Sequence, residues 1–533
     1  MKNILLILLV LITYHSNSQH LVDSFNMPTP KTFASIDEIK VTPDHKILLA
    51  GDIDFHNGTE VQSVIKLNLD GSLDSNFEFT HEKSIKKIEF LSTGEIIALD
   101  RDSLYKINEF GTIISSLNLG VSTFYSDFEI KNDYIFLAAN GLGLKKYDSN
   151  FTLVTGFNND NLFENGVVRT LAFQNEKILV AGTFSSVNGV FKNDIARFDS
   201  NGNLDETFDT GLGTSDPLTA MVVQDDNKII LSESYINSFN EIPCNGLARL
   251  NEDGSVDLEF SPPIINSHVG SNVIVHNDQI LLTESYFIGE DNYFRLVKLN
   301  LDGTLNSSFE LNDYSSKIAL LPGGDILINT DALKKYSNEG TIDSDFDPLL
   351  ERIGYINNAA FHDNFIIVTG DFYSLDGIVT NQIGKIDFNG NVDSNFIFTN
   401  EVTHETFPRQ VKVIEEDEIF ISFGDKLLKL DNFGNPAPDF NTPEEVIKPS
   451  GKTDSYFAEK FEFLSNDKIV IAGPNGLYIL NEDGSQDTSF DFENTSDISY
   501  SNFTLGLQST GKIIYESELS EVNNIEVNKM VRV

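Results

Sequence analysis

Cysteine and tryptophan are almost absent from this sequence, which has one cysteine, Cys244, and no tryptophan among 533 residues. A single thiol excludes intramolecular disulfide bonds, even in a compartment that permits them. The absence of tryptophan removes one side chain that commonly stacks on sugar rings. Beyond the N-terminus, no segment is both apolar enough and long enough to span a membrane.

Positive charge is also scarce, with 37 Lys and Arg against 81 Asp and Glu and a formal net charge of −44. Such an acidic surface repels phosphate backbones and anionic lipid headgroups, so we expect no nucleic-acid partner and no electrostatic membrane binding. It suits divalent cations, cationic partners or simple solubility. The acids are interspersed and 40% of residues are hydrophobic, which disfavours disorder. The length predicts several domains or a repeat array.

The N-terminus, MKNILLILLVLITYHSNSQ, carries an apolar run over residues 4–14 that is too short to cross a bilayer. This pattern is typical of a secretory signal, and Ser16 and Ser18 place cleavage before Gln19. We therefore expect a signal peptide at 1–18 and a secreted or cell-surface chain over 19–533, with the periplasm as the alternative. An uncleaved anchor is the other interpretation, and the position of Cys244 excludes a lipoprotein anchor. We expect no membrane insertion after cleavage.

A thirteen-residue pattern recurs ten times, with clear copies in ARFDSNGNLDETF (196–208), ARLNEDGSVDLEF (248–260) and VKLNLDGTLNSSF (297–309). Each copy ends on a closing Phe or Leu, and successive closing residues lie 37 to 52 residues apart. These closing residues are Phe77, Leu117, Phe157, Phe208, Phe260, Phe309, Phe346, Phe396, Phe440 and Phe490. Their constant place after a turn predicts burial between neighbouring units.

Each unit has the pattern of four short strands joined by Gly, Asn and Asp, and no segment has a sustained helical period. Four strands in a unit of this length are typical of a β-propeller blade. The sequence therefore predicts an all-β fold.

The two ends of the chain are complementary parts of one unit. Residues 512–533 align without a gap to 177–198, so the chain stops after a third strand, and LVDSF (21–25) matches the closing segment of the 203–208 region. Pairing the N- and C-terminal strands would complete an eleventh four-stranded blade and close the fold. Because propellers typically have 4–8 blades, we favour two adjoining rings over one large ring or an open array. Junctions are expected near Leu117, Phe157 or Phe346.

The units resemble the delta-60 repeat family of bacterial secreted β-propellers. The residues that carry this resemblance are Val187-Asn188-Gly189, Ile195-Ala196-Arg197 and the segment from Gly202 to Phe208. The resemblance implies the propeller fold and a secreted protein. It transfers little chemistry, because members of this family are mostly without assigned function.

The sequence motifs give no cofactor, metal site or catalytic residue. The segment Asn251, Asp253, Gly254, Asp257 overlaps half of a calcium loop, but Arg249 stands where calcium needs an anion, which favours a tight turn. There is no G-x-S-x-G, H-E-x-x-H, C-x-x-C or P-loop pattern.

The connection between the second and third strands is long in six units and short in five. Equivalent connections in stacked blades project from the same face, where binding often occurs. The candidate binding face comprises Asp52, Asp54, Phe55, Phe184, Glu233, Tyr235, Glu284, Tyr286, Asp371 and Phe372. The alternative is that the aromatic residues fold back as caps on the hairpins.

The leading functional hypothesis is a secreted, non-catalytic propeller that binds an extracellular protein or a glycan through the face with the long connections. One alternative is an extracellular polysaccharide hydrolase or lyase, which would need two carboxylates about 5–10 Å apart in a pocket. The other is a structural or assembly component of the cell envelope. The oligomeric state and the ligand's identity stay open.

Overall fold

The computed structural model describes residues 27–81, 83–120, 126–214, 218, 220–232, 238–244, 246–262, 267–276, 279–288, 291–311, 317–329, 332–362, 364–398, 408–414, 418–443, 445–447, 453–455, 458–464, 466–473, 476–490, 492, 504–508, 512–516, 521–522, 525–526 and 530–532. All regular secondary structure in these residues is β-strand, as the sequence predicts. None of them forms a helix long and apolar enough to cross a membrane. The proposed signal peptide and Phe25 lie outside the described residues.

The chain divides into two compact units. The continuous unit is Phe33–Arg352, and the discontinuous unit combines Met1–Thr32 with Ile353–Val533. The strands up to the first sheet of the discontinuous unit are β1 (Pro30–Phe33), β2 (Ser35–Val41), β3 (Ile47–Asp52), β4 (Phe55–His56), β5 (Thr59–Glu60), β6 (Val64–Leu67), β7 (Lys87–Phe90), β8 (Ile96–Leu99), β9 (Ser103–Ile107), β10 (Ile113–Asn118), β11 (Ser126–Lys131), β12 (Tyr134–Ala139), β13 (Gly143–Tyr147), β14 (Phe163–Glu164), β15 (Val168–Gln174), β16 (Lys177–Gly182), β17 (Ser186–Val187), β18 (Val190–Phe191), β19 (Ile195–Phe198), β20 (Ala220–Val223), β21 (Ile229–Ser232), β22 (Ser238–Phe239), β23 (Ile242–Pro243), β24 (Leu247–Leu250), β25 (Ser267–His276), β26 (Gln279–Ile288), β27 (Asp291–Asn300), β28 (Leu305–Leu311), β29 (Lys317–Leu320), β30 (Ile326–Asn329), β31 (Leu333–Tyr336) and β32 (Leu350–Ile353). The remaining strands are β33 (Tyr355–Phe361), β34 (Ile366–Asp371), β35 (Ser374–Leu375), β36 (Ile378–Val379), β37 (Ile383–Ile386), β38 (Gln410–Ile414), β39 (Glu418–Ser422), β40 (Leu427–Leu430), β41 (Glu445–Ile447), β42 (Thr453–Ser455), β43 (Lys460–Phe463), β44 (Ile469–Gly473), β45 (Gly476–Leu480), β46 (Thr504–Leu507), β47 (Ile513–Glu516), β48 (Glu521–Val522), β49 (Ile525–Glu526) and β50 (Met530–Arg532).

The continuous unit contains seven antiparallel sheets in chain order. They are sheet 1 (β2-β3-β6), sheet 2 (β7-β8-β9-β10), sheet 3 (β11-β12-β13), sheet 4 (β15-β16-β19), sheet 5 (β20-β21-β24), sheet 6 (β25-β26-β27-β28) and sheet 7 (β29-β30-β31). The first strand of each sheet contacts the first strand of the next, and β29 of sheet 7 contacts β2 of sheet 1. One core cluster accordingly joins residues of sheet 1, such as Ile47, to residues of sheet 7, such as Leu327.

The discontinuous unit contains four further sheets of three strands, besides short strand pairs. They are sheet 8 (β33-β34-β37), sheet 9 (β38-β39-β40), sheet 10 (β43-β44-β45) and sheet 11 (β46-β47-β50). Core clusters join each of these sheets to the next along the chain, as where Ile367 of sheet 8 packs with Ile421 of sheet 9. The last strand of the chain, β50, is therefore the third strand of a sheet. Its predicted pairing with LVDSF falls on residues outside those described.

The middle strand of each sheet is an apolar run because both of its faces are covered. In β16, Ile178 and Val180 pack into one core cluster, which includes Phe136 of sheet 3. The alternate residues Leu179 and Ala181 pack into another, with residues of sheet 5. A strand buried on one face only would alternate apolar and polar residues. The continuous apolar run of each middle strand therefore indicates a sheet on both of its faces.

Most units differ from the predicted four strands, because the fourth strand is reduced to a single bridge. In sheet 4 the bridge joins Phe198 to Leu204. The chain then turns at Asp205, whose carboxylate accepts the N–H of Thr207 at 3.0 Å, and this turn delivers Phe208 into the core. Of the eleven numbered sheets, as far as the structure describes them, only sheets 2 and 6 have four strands.

The closing residues are core residues, as the sequence predicts. Phe208 and Phe396 are 0% and 1% exposed, and burial of one such ring stabilises the fold by about 1.5–3 kcal/mol. The other closing residues that are buried are Phe77, Phe157, Phe260, Phe346 and Phe440. Leu117 and Phe490 are half-buried.

Three of the closing rings, those of Phe157, Phe260 and Phe346, pack against the turn glycine of the neighbouring sheet. Gly202 has a φ of +82°, and a Cβ added there would lie 2.7 Å from the ring of Phe157. The same contact joins sheet 7 to sheet 1, where a Cβ on Gly71 would lie 3.3 Å from the ring of Phe346. The repeat therefore uses glycine here for close packing as well as for the turn.

The Asn-x-Asp-Gly segment forms a tight turn. The N–H of Gly254 donates to the carbonyl of Asn251 at 3.0 Å, and the carboxylate of Asp253 accepts the N–H of Ser255 at 3.0 Å. Gly254 has a φ of +96°, which favours glycine. These contacts are those of the tight turn that the sequence favours.

Arg249, two residues before this turn, joins sheet 5 to sheet 6. We call this contact the inter-sheet clasp. The Nε of Arg249 lies 2.7 Å from Oδ2 of Asp257 in the same unit, and its Nη1 donates to the carbonyl of Leu301 in the turn of sheet 6. The guanidinium also lies 4.6 Å from the ring centroid of Phe260. Because Arg249 and Asp257 are both buried, this pair is shielded from solvent.

The clasp recurs along the chain. Arg197 pairs with Asp205 at 2.9 Å and donates to the carbonyl of Glu252 in the next turn. Burial alone would raise the pKa of Asp205, but hydrogen bonds from Lys177 and Thr207 and the charge of Arg197 hold it well below its usual value. Lys298 and Lys385 likewise reach the carbonyls of Asn338 and Asn432.

Replacement of Arg249 by Met should destabilise the protein by about 2 kcal/mol, because the buried carboxylate of Asp257 keeps only Lys228 and the carbonyl of Leu301 loses its donor. The measurement is urea unfolding of the full chain followed by circular dichroism. The matched control is Arg409→Met, which removes a half-exposed pair with Glu459 at 3.7 Å and should cost less than about 1 kcal/mol. Equal losses in the two variants would contradict the role of the clasp.

Candidate functional site

The predicted long connections are β-hairpins rather than loops. Five of them form two-residue strand pairs, which are β4-β5, β17-β18, β22-β23, β35-β36 and β48-β49. The sixth extends β26 and β27 into one long hairpin, so residues 284–288 and 291–295 lie in strands. Asn188 and Gly189 have φ values of 48° and 78°, the pattern of a type I′ turn, which matches the twist of the flanking strands.

In each short hairpin whose turn is described, the first turn residue forms hydrogen bonds with a segment of chain that connects two sheets. In sheet 4 the N–H of Asn188 donates to the carbonyl of Leu162 at 3.1 Å, and its Oδ1 accepts the N–H of Leu162 at 2.9 Å. Asn240 holds Leu212 and Gly213 of the next connection, with 2.5 Å from Oδ1 to the N–H of Leu212. We call this two-way arrangement the connection clamp.

The clamp recurs in both units. In the continuous unit, Asn57 of sheet 1 exchanges hydrogen bonds of 2.8 and 2.9 Å with Leu349, which follows sheet 7. In the discontinuous unit, Asp376 of sheet 8 exchanges bonds of 3.0 and 2.8 Å with Thr29, near the N-terminus. Sheets 1 and 8 therefore take their clamped segments from distant parts of the chain.

Two of the predicted site residues are buried. Phe184 is 0% exposed and packs against Phe163 with ring centroids 4.9 Å apart, and Phe372 is 1% exposed in the core of sheet 8. Their burial contradicts a place on a ligand surface, because the chain folds back at the base of each hairpin and covers the ring. The positions of these two residues agree with the alternative, in which the aromatic side chains fold back as caps on the hairpins.

Three more lie near the first hairpin. Asp52 is exposed at the end of β3, whereas Asp54 and Phe55 are half-buried, with Phe55 in β4. Partial burial raises the pKa of Asp52, the guanidinium of Arg352 opposes this shift, and the carboxylate of Asp54 adds to it. This acidic pair therefore has a cation beside it.

The remaining five predicted residues lie in β34, in β26 or outside the described residues. Asp371 is half-buried and pairs with Tyr355 at the end of β34. Glu284 and Tyr286 lie in β26, opposite Arg295 and Tyr293. Glu233 and Tyr235 fall outside the described residues. The binding face formed by the other eight residues stays a prediction.

A mixed charge cluster that the sequence reasoning missed lies at the beginnings of the first strands. Burial raises the pKa of Asp37, and the charges of Lys317 and Lys86 oppose this shift. These three residues come from sheets 1, 7 and 2. Burial lowers the pKa of Lys86, and the nearby Arg101 lowers it further. The sequence carries only a weak signal for this cluster: each charged residue adjoins a buried isoleucine near the beginning of a first strand.

The hydrolase alternative needs two neighbouring carboxylates. Asp127 and Glu129 of β11 are such neighbours, since both contact Lys87. Nζ of Lys87 lies 2.6 Å from Oδ1 of Asp127 and 2.9 Å from Oε1 of Glu129. Oδ2 of Asp127 accepts the N–H of Leu171 at 2.6 Å. Because protein donors occupy both oxygens of Asp127, the arrangement has the form of a buried ion pair between sheets rather than of an acid and a nucleophile facing a substrate.

Burial would lower the pKa of Lys87, but the carboxylates of Asp127 and Glu129 raise it well above its usual value. The lone cysteine, Cys244, is half-buried, and burial raises the pKa of its thiol to about 11. Among the described residues, no group of three or more His, Cys, Asp or Glu side chains could hold a metal ion.

Exposed apolar side chains lie on the outer strands and clamped segments of the hairpins, and the sequence reasoning did not find them. Val190 and Phe191 of β18 are 41% and 60% exposed, Ile242 of β23 is 36% exposed, and the clamped Leu162 and Leu212 are 51% and 63% exposed. The outer strand of each hairpin pairs on one side only, so its other side faces outward. We call this side of the continuous unit the hairpin surface.

Four stretches of the chain match the family described as "Domain of unknown function (DUF5122) beta-propeller". They are residues 42–77, 174–208, 224–260 and 281–309, about a quarter of the chain. Each stretch spans most of one sheet of the continuous unit together with its turn and closing Phe. The β-propeller repeat that the sequence predicts is thus supported.

The chain is similar to solved structures at low sequence identity, including the following two. The extracellular domain of a protein described as a one component system from B. thetaiotaomicron is 12% identical, with a TM-score of 0.34 over 84% of this chain. The chain spans 65% of the length of that domain. The WD40 domain of Pan2 from Neurospora crassa is 13% identical, with a TM-score of 0.37 over 62% of this chain and 97% of that domain. No curated protein matches the chain.

Replacement of Asn188 by Gly tests the connection clamp. Glycine keeps the positive φ but removes the acceptor for the N–H of Leu162, so exchange of that amide should become about fivefold faster, the effect of one neutral hydrogen bond. Hydrogen–deuterium exchange followed by mass spectrometry of peptides across 160–164 provides the measurement. Asn188→Asp, which keeps an acceptor, is the control, and indistinguishable exchange in the Gly and Asp variants would refute the clamp.

Proposed function

We propose that this protein is a secreted β-propeller that binds an extracellular protein or a glycan through its hairpin surface and does not itself catalyse a reaction. The observation that carries this proposal is the set of exposed apolar side chains on successive hairpins, above all Phe191 and Leu212. Exposed aromatic and aliphatic side chains held by rigid backbone are the usual anchors of binding surfaces. Secretion rests on the N-terminal signal pattern.

The supporting geometry is that the hairpins are preformed. The connection clamps hold them with hydrogen bonds of 2.5–3.1 Å from both the backbone and the side chain of the turn residue. A surface ordered before binding loses little conformational entropy when a partner arrives. The buried Phe184 and Phe372 support the hairpins from beneath and lie outside this surface.

The proposed function is tested with the purified full chain, by glycan-array screening and by capture of proteins from the native culture medium. The double variant Phe191→Ser, Ile242→Ser should bind the captured ligand at least tenfold more weakly, because it removes two apolar anchors. The control is Phe110→Ser, Leu258→Ser, which changes residues that are 56% and 75% exposed, the first in the turn between β9 and β10 and the second in the turn after the bridge at Val256. Unchanged binding in the hairpin variant, or an equal loss in the control, would refute this surface.

We further propose that the continuous unit is a closed ring of seven blades. Three observations support this arrangement: the first strands contact each other in cyclic order, the Gly71–Phe346 contact repeats the Gly202–Phe157 contact, and the clamp of Asn57 on Leu349 repeats that of Asn188 on Leu162. In each case the step from sheet 7 to sheet 1 repeats a step between consecutive sheets.

We also propose that the N-terminal segment closes the discontinuous unit by completing sheet 11. Thr29, which Asp376 clamps, follows Phe25 by four residues, just as the clamped Leu212 follows Phe208 by four. This spacing supports Phe25 as the closing Phe of sheet 11. The protein would then consist of two rings, with the continuous unit inserted into the other after its N-terminal segment.

A disulfide tests this closure. Val533 aligns with Phe198 and Leu21 with Leu204, the pair that forms the bridge in sheet 4. In a Cys244→Ser background, Leu21→Cys with Val533→Cys should therefore oxidise to an intramolecular disulfide, because directly paired residues have Cβ atoms about 4.5–5.5 Å apart. Gel mobility without reductant reports the product. Leu258→Cys in place of Val533→Cys is the control, and equal oxidation in both pairs, or none in the first, would exclude the closure.

A further inference from the structure

The hairpins of sheets 4 and 5, and the segments clamped to them, carry a set of exposed apolar side chains. In chain order they are Leu162, Val190, Phe191, Leu212 and Ile242, which are 36% to 63% exposed. Soluble proteins rarely expose contiguous apolar side chains without a binding role. We call this set the apolar stripe.

Hydrogen bonds join the two hairpins to the segment of Leu212. Nδ2 of Asn193, two residues after Phe191, donates to the carbonyl of Leu212 at 2.9 Å. The N–H of Leu212 in turn donates to Oδ1 of Asn240 at 2.5 Å, and Asn240 begins the turn that leads to Ile242. Leu212 therefore lies between the two hairpins.

The stripe is fixed in place from beneath. A Cβ added to Gly213 would lie 2.8 Å from the carbonyl oxygen of Asn193, so the connection passes this hairpin at the closest approach that glycine allows. Oγ1 of Thr214 donates to Oδ2 of the buried Asp194 at 2.7 Å, and Thr214 also pairs with Phe239. Leu212 is exposed on a segment that is bonded on both sides, which gives a partner a preformed anchor point.

The margin of the stripe is acidic. Segments 160–164, 186–194, 209–214 and 238–243 contain five acidic residues and one cation, Lys192. Nζ of Lys192 donates to the carbonyl of Phe208 at 2.7 Å. The acids that remain at the surface are Asp160, Asp209 and Glu241, which are exposed, and Glu164, which is half-buried.

Building on the proposed function, we infer that the apolar stripe is the docking site for a protein segment in which apolar side chains alternate with Lys or Arg. Apolar anchors fit the exposed Phe191 and Leu212, and the cations are complementary to the acidic margin. A second copy of this chain would bring a like-charged surface of a protein with net charge −44 against it. Anionic lipid is disfavoured for the same reason.

The experiment measures binding of three synthetic ten-residue peptides to the full chain by isothermal titration calorimetry. Their sequences are Lys-Leu, Lys-Ser and Glu-Leu, each repeated five times. The Lys-Leu peptide should bind at least tenfold more tightly than the Lys-Ser peptide, the Glu-Leu peptide should show no binding, and added salt should weaken the Lys-Leu interaction. Equal binding of the Lys-Leu and Lys-Ser peptides would show unspecific charge attraction and overturn the inference.

Variants of the protein locate the site. Leu212→Ser should weaken Lys-Leu binding at least tenfold, and Glu241→Lys should weaken it severalfold, while Phe110→Ser, at a turn outside the stripe, leaves it unchanged. Circular dichroism melting of each variant confirms that it is folded. Equal weakening by Phe110→Ser, or none by Leu212→Ser, would overturn the inference.

Two results separate this inference from the proposed function. If glycan or protein capture still depends on Phe191 and Ile242 while the Lys-Leu peptide does not bind, the partner class is wrong and the hairpin surface stands. If sedimentation shows that the wild-type chain is a dimer that Leu212→Ser dissociates, the stripe is a contact between copies and the inference fails. Binding of the Lys-Leu peptide that depends on Leu212 supports both.

Discussion

The contact on which the architecture depends is a buried cation shared between two sheets. Arg249 neutralises Asp257 of its own unit and donates to a turn carbonyl of the next, while its guanidinium covers the closing Phe260. One side chain thereby pairs with a buried carboxylate, donates to a backbone carbonyl and covers an aromatic ring. Loss of the guanidinium would leave Asp257 with Lys228 alone, whose Nζ lies 2.7 Å from its Oδ2, and would remove this contact with the next sheet. Most copies of the repeat carry Arg or Lys at this position, as at Lys66, Lys298 and Lys385.

The clasp acts on one side of each sheet and the connection clamp acts on the other. Asn188, Asn240, Asn57 and Asp376 each bond the segment that enters between two sheets, with the same pair of backbone and side-chain contacts. In sheets 4, 5 and 8, where both contacts are described, they fix the sheet to its neighbours at both ends of its strands. The hairpins consequently have a structural task, and their outer strands remain available to a partner.

The proposed binding function rests on the difference between the buried residues at the base of each hairpin and the exposed residues on its outer strand. The inner strand of a hairpin is occupied by the chain itself, and the aromatic residue at its base is buried, as Phe184 shows. The apolar residues that face outward, Phe191 and Leu212 among them, make no such contribution to the core clusters. Their exposure in a strongly acidic protein is the physical basis of the binding role that we propose, and the acidic margin is complementary to the cationic partners of that proposal.

Sequence alone determined the all-β repeat, the tight turn of Asn251 to Ser255 and the burial of closing residues such as Phe208. These features depend on local spacing, which a short repeat records in residue type. The same reasoning read Arg249 as evidence against calcium without finding its partner, and it placed Phe184 on a possible ligand surface. Only the tertiary structure decided that Arg249 reaches the turn of the next sheet, that Thr29 is clamped by sheet 8 while Leu349 is clamped by sheet 1, and that Leu212 lies between two hairpins. The reason is physical: these contacts join residues far apart in the chain and often end on a backbone carbonyl, which every residue carries and no sequence pattern marks.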